Sequence, residues 1–165
     1  MNLPLEYMKI IKYPNDILTT PCLPVEINDE VEDFVWEMVK FMKGGSLWGT
    51  VTGLAANQVG KNWRIFVLNT GKDPYDAKIY INPEMPWMTK APKNIYTEGC
   101  YSLTDNQFYH TNRAPSIRLK WQDIDRVWHE ERFNGVMAQV IRHEYDHLEG
   151  HLCVPKDMLD ANQKS

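Results

Sequence analysis

The sequence predicts an α+β domain: small antiparallel or mixed β-sheets around a central buried helix that carries the pentad H-E-x-x-H, with an amphipathic helix nearer the N-terminus. Three observations predict it. Apolar residues recur at helical spacing in Asn28–Met42, short β-rich runs follow through the middle, and the period returns to helical after Asn134-Gly135. The chain has 165 residues, 43% hydrophobic and 24% charged. That suits one core, and residues 1–165 read as a single domain.

The first helix is set by Val31, Phe34, Val35, Met38, Phe41 and Met42, which fall three and four apart. Asn28 is its cap, Asp29 and Glu30 suit the positive end of the helix dipole, and Gly44-Gly45 ends it. Trp63–Leu68 and Lys78–Ile81 read as short strands separated by turn residues at Gly71–Pro74. Ile117, Leu119 and Trp121 alternate with Arg118 and Lys120, and Gln122–Arg126 turns the chain into Val127–Phe133 as a hairpin. The last helix runs from Val136 to about Glu149.

Composition excludes several classes. Aromatics at 12%, six of them Trp, argue against disorder. No apolar run reaches the roughly 18 residues of a membrane span, and Met1–Glu6 has neither the basic nor the apolar segment of a signal peptide. A cytoplasmic protein is expected. The net charge is −4, and Lys and Arg do not cluster, so direct nucleic-acid binding is not expected. Cys22, Cys100 and Cys153 are too few and too widely spaced for a disulfide framework and read as reduced thiols, Cys22 as a buried or idle one.

The chemistry lies in His143-Glu144-Tyr145-Asp146-His147. Two His four apart project from one helix face and can reach one ion, with Glu144 beside it as a base. Val136, Val140, His143, Glu144 and His147 share one arc of the wheel. Met137, Ile141, Tyr145 and Leu148 lie beside it, leaving Gln139, Arg142, Asp146 and Glu149 for the remaining side. The competing reading, two satisfied core histidines and a paired Glu, must bear the cost of burying those polar groups.

A catalytic site of this kind needs a third protein ligand and an open position. Cys153 falls where the extended metalloprotease pattern has a His, His151 lies two residues too early for it, and Glu149 points away. The other candidate is Cys100 in Glu98-Gly99-Cys100-Tyr101-Ser102, a soft anionic donor after a glycine. A third segment, Gly53-Leu54-Ala55-Ala56-Asn57-Gln58-Val59-Gly60, lacks bulk where a substrate backbone could approach, and Gln58 offers an amide N–H. His110, His129 and His151 have no ligand spacing with the pentad.

Taken together, Val51–Gln58, Glu98–Ser102 and His143–His147, in that order, resemble the three motifs of the peptide deformylase family; the resemblance extends to Ile10-Ile11-Lys12-Tyr13-Pro14 and the helix after it. It implies metal ligands Cys100, His143 and His147, with Glu144 as general acid/base. It implies that Gln58 and the backbone N–H of Tyr101 hydrogen-bond the developing oxyanion and that Gly53 meets the substrate backbone. The implied cofactor is one divalent metal ion, Fe²⁺ natively, with Zn²⁺ or Ni²⁺ able to substitute. The implied reaction removes the formyl group from the N-terminal formyl-methionine of new polypeptides and releases formate, in a monomer with no membrane partner.

Val51, Thr52 and Tyr101 depart from the family's pattern, as does the run Leu103-Thr104-Asp105 after Ser102. None is a metal ligand; they bear on pocket shape and substrate preference. Arg113 and Asp146 are candidates for an ion pair steadying the motif helix, with a plain surface pairing as the alternative. Two rivals remain from the residues alone: an intracellular H-E-x-x-H metallopeptidase, and a structural Cys/His₂ module closed by a fourth ligand such as His151 or Cys153.

Overall fold

The computed structural model describes residues 8–43, 52–70, 76–90, 92–104, 107–154 and 156–162. Gly44-Gly45, Gly71–Pro74 and Val51 lie outside them. Helix α1 spans Asp29–Lys43, and Asn28 Oδ1 accepts the N–H of Val31 at 3.0 Å, closing an otherwise unpaired first-turn donor. The strands follow as β1 (Thr52–Ala55), β2 (Ile65–Asn69), β3 (Ala77–Met88), β4 (Asn94–Glu98), β5 (Tyr109–Arg113), β6 (Ser116–Gln122) and β7 (Trp128–Asn134). Helices α2 (Gly135–Leu148) and α3 (Lys156–Asn162) complete the order, with short 3₁₀ turns at Asp16–Thr19 and Ala56–Val59.

A five-stranded antiparallel sheet runs β1-β2-β3-β6-β7, and β4 pairs with β5 in a separate antiparallel ribbon. The fold class is thus α+β, with antiparallel pairing in both named sheets; the parallel element is one isolated bridge, Leu23 with Trp63. The large sheet is covered on both faces at β2, while its edge strand β7 is largely exposed. Ile65 and Val67 join Val31, Val35 and Met38 of α1 in one apolar cluster. Phe66 and Leu68, on alternate positions, join Ala138, Ile141 and Leu148 of α2 in another. That double burial explains why β2 is apolar from Ile65 to Leu68 rather than alternating.

Four differences from the sequence expectations have physical reasons. Strand β3 continues to Met88 through Pro83 and Pro86 because its pairing with β6 shifts register between Ile81 and Glu84 and again between Glu84 and Trp87. Strands β1, β4 and β5 are only four or five residues long, and β4 and β5 are largely exposed, so they carry little periodic signal. Asp146 does not face water; it is buried with Arg113. Val136, placed with the buried arc, is instead 57% exposed at the first turn of α2.

A third apolar cluster, Tyr13, Leu18, Leu103, Val154 and Leu159, ties the N-terminal segment and α3 to the loop after β4. Cys100 and Cys153 pack against it. The motif loop is therefore held between the β4–β5 ribbon, the segment around Tyr13 and Leu18, and α3.

Candidate metal centre

Strand β4 ends at Glu98, and the chain turns at Gly99 to present Cys100 toward α2. From α2, His143 and His147 face it one turn apart, their ring centroids 5.1 Å from one another. One donor atom from each of Cys100, His143 and His147 lies within 4.8 Å of the others, and among the described residues these three alone form such a group. Cys153 and His151 are not in it. Cys100 Sγ is 3.4 Å from His147 Nε2.

The residues present fit a divalent metal by the chemistry of the donor set. A thiolate with two imidazoles matches the three-protein-ligand count of open, catalytic sites rather than the four of closed structural ones. Burial pushes the Cys100 thiol up, but His147 and His143 outweigh it and hold the group well below its ordinary value, toward the thiolate.

Glu98, unassigned by the sequence reading except as part of a motif, organises the centre. Its Oε1 is 2.7 Å from His143 Nδ1, which leaves Nε2 as the free ring nitrogen. Both Glu98 oxygens also take Arg113, Nη2 to Oε1 and Nε to Oε2, each at 2.8 Å, and Thr111 Oγ1 donates to Oε2. Arg113 Nη1 in turn reaches Asp146 Oδ2 at 2.5 Å. Burial pushes the Glu98 carboxyl up, yet Arg113, His143 and Thr111 together hold it far below the carboxylate range. Arg113 is only 7% exposed, so the Arg113–Asp146 pair is a buried contact, and the surface pairing is excluded. The sequence signal was present but weak: an acidic residue two positions before a cysteine, and an arginine ending a short strand.

Glu144 lies on α2 beside the donors and is buried. Burial raises its carboxyl above the ordinary range against the pull of both imidazoles, and its Oε2 has no hydrogen-bond partner among the described residues. Its side chain rests on β1: a Cβ built on Gly53 would come 2.5 Å from Glu144 Oε1. Gly53 is thus the position where the sheet edge gives way to the carboxylate.

Behind β1, the 3₁₀ turn Ala56–Val59 sets two buried amides. Asn57 Nδ2 donates to the His147 carbonyl at 2.7 Å, fastening this turn to the end of α2. Gln58 Oε1 accepts the Ala55 N–H at 3.0 Å, while Nε2 lies 3.2 Å from Ser102 Oγ and 3.6 Å from Cys100 Sγ. Tyr101, next to Cys100, is 39% exposed, so its bulk projects outward rather than into the donors. The remaining histidines stay apart: His110 lies 3.3 Å from Thr97 Oγ1, His129 bonds Asp123 at 2.7 Å, and His151 is exposed. Cys22 is buried, and burial pushes its thiol up to about 11.

An α+β fold that gathers one thiolate, two imidazoles and a buried carboxylate beside a sheet edge defines a class, the metal-dependent amide hydrolases. Comparison with known proteins narrows it. The family model for polypeptide deformylase matches residues 7–164, and the chain belongs to that family. The peptide deformylase of Zymomonas mobilis is 34% identical over 155 residues, covering 89% of this chain and 84% of the relative. That of Pseudomonas aeruginosa is 34% identical over 148 residues, covering 89% and 84%. Among solved structures, the peptide deformylase of Thermotoga maritima aligns with a TM-score of 0.78 at 29% identity, covering 88% of this chain and 93% of that one. A probable peptide deformylase from a synechococcus phage aligns at 0.79 with 31% identity, covering 88% and 97%. The protein is a hydrolase that removes the formyl group from the N-terminal formyl-methionine of polypeptides.

Proposed function

We propose that Cys100, His143 and His147 hold one divalent metal ion, natively Fe²⁺ and replaceable by Zn²⁺ or Ni²⁺, and that Glu144 is the general acid/base of the deformylation. The observation that carries this reading is the convergence of the three donor atoms within 4.8 Å beside an unpartnered carboxylate oxygen of Glu144. A metal bound by such a set lowers the pKa of a water molecule to about 7 and polarises a carbonyl.

The chain's own groups do the rest. Glu144, its carboxyl raised by burial, takes the proton of the attacking water and returns it to the departing nitrogen, so that formate and a free amine leave. The Gln58 amide and the Tyr101 backbone N–H donate to the formyl oxygen as negative charge develops on it. Gly53 meets the substrate backbone at β1, and its lack of a Cβ leaves the Glu144 side chain its place. Glu98 holds His143 by Nδ1, and Arg113 bridges Glu98 and Asp146, which keeps α2 in register with Cys100. Helix α2 is the central element of one metal-amidase domain spanning residues 1–165. The protein acts as a cytoplasmic monomer on formyl-Met peptides; no helix among the described residues is long and apolar enough to cross a membrane.

Formate release from formyl-Met peptides, measured with metal content on protein purified without oxygen, tests the reading. Cys100→Ala is expected to lose metal first and activity with it. Retention of both by that variant would overturn the ligand assignment. Cleavage of unblocked peptides at internal bonds would favour the metallopeptidase instead.

A further inference from the structure

Three consecutive residues near the N-terminus touch the backbone of each segment that supplies an oxyanion donor. The Ile11 N–H donates to the Gln58 carbonyl at 2.7 Å, and the Tyr13 N–H donates to the Ser102 carbonyl at 2.9 Å. Between them, Lys12 Nζ donates to the Tyr101 carbonyl. The strap is itself anchored, because Tyr13 is buried against Leu18, Leu103 and Leu159 and its hydroxyl donates to Asp160 of α3. Strands account for neither pair of contacts: residues 11–13 belong to no sheet.

The side chain of Gln58 is pinned from within the same frame. Its carbonyl oxygen is fixed by the Ala55 N–H and its nitrogen by Ser102 Oγ, and both Gln58 and Ser102 are fully buried. An amide nitrogen has two protons in one plane. With one directed at Ser102, the other has a single remaining direction, and Cys100 Sγ at 3.6 Å marks it as the donor cluster.

We propose that the strap Ile11-Lys12-Tyr13 and the Ser102 hydroxyl are positioning devices for the oxyanion donors, with Lys12 and Ser102 as positioning residues that act through Tyr101 and Gln58. The inference rests on the oxyanion reading of those two donors. Physically, the donors stabilise charge only if they are aimed before it develops, and an error of about 1 Å can cost on the order of 10²-fold in rate. Lys12 fixes the peptide plane that follows the Tyr101 N–H; Ser102 removes the rotational freedom of the Gln58 amide.

The test uses the zinc-loaded enzyme. Ser102→Ala is expected to lower kcat by roughly 10- to 100-fold with KM nearly unchanged, and Ser102→Thr, which keeps the hydroxyl, to recover most of it. In a Gln58→Leu background, Ser102→Ala should add almost nothing, because its effect passes through Gln58. Lys12→Met, at an exposed side chain, is expected to lower kcat severalfold and Lys12→Arg to restore it. Independently of turnover, the two side-chain amide protons of Gln58 should give well-separated NMR resonances that merge toward exposed-glutamine positions in Ser102→Ala. If Gln58→Leu loses kcat while Ser102→Ala and Lys12→Met keep it, or if the Ser102 and Gln58 losses multiply, the positioning proposal is wrong. Full kcat in Gln58→Leu would remove the oxyanion reading beneath it, and the proposal with it.

Discussion

At the scale of single residues, Glu144 and Gly53 form one unit. The carboxylate occupies the space a Cβ at Gly53 would fill, so the two positions constrain each other. Gly53→Ala is expected to displace the Glu144 side chain and cut kcat by at least about 10-fold, since a misplaced catalytic group loses rate steeply. Metal content, measured alongside, should stay at one ion per chain, and an unchanged kcat would show that Glu144 can move without loss. Glu144→Gln keeps the shape but not the basicity; formate release should fall by about 10²–10⁴-fold with metal retained. The pentad made Glu144 legible in the sequence because the spacing of two histidines on a helix is a local signal. Glu98 was not legible in the same way. Its role arises from contacts with Thr111, Arg113 and His143, which are 13 to 45 positions away in the chain.

At the scale of elements, the buried chain His143–Glu98–Arg113–Asp146 joins β4, β5 and α2. Arg113 is the cation both carboxylates share; without it buried Glu98 keeps only His143 and Thr111, and Asp146 keeps only Arg142, whose Nε lies 2.9 Å from its Oδ1. Arg113→Met is therefore expected to destabilise the fold by about 3–5 kcal/mol, read from the urea midpoint. Acid should probe the same link. The folded Glu98 carboxyl titrates below its unfolded value, so its contribution is full above about pH 4.5 and is lost as pH falls through the interval below that. An acid-unfolding curve that is flatter in Glu98→Gln than in the parent checks the sign. The elements most legible beforehand, α1 and β6, bury one face and expose more of the other, which imprints a period. The prolines of β3 hid its length, and the shared burial of Arg113 and Asp146 hid the inner face of α2, because a charged side chain reads as solvent-facing until its partner is known.

At the scale of the whole molecule, the proposed metal ligands come from helix α2 and the loop after β4, and apolar packing holds both of these segments in place. Helix α2 is held by Ala138, Ile141 and Leu148 against Phe66, Leu68 and Leu119, and the Cys100 loop by the cluster of Tyr13, Leu18 and Leu103. A site laid over a core that already closes behaves differently from a small metal-folded module, which unfolds when stripped. Chelation is expected to abolish formate release while the far-UV circular dichroism at 25 °C stays that of the folded protein. The thermal midpoint should nevertheless fall, since a ligand present at about 1,000 times its dissociation constant stabilises the folded state by roughly 4 kcal/mol. Adding back Zn²⁺ should restore both the midpoint and activity in parallel with metal content. Loss of the helical signal on chelation would mean that Cys100, His143 and His147 hold the fold itself together, which is the behaviour of a structural Cys/His₂ module.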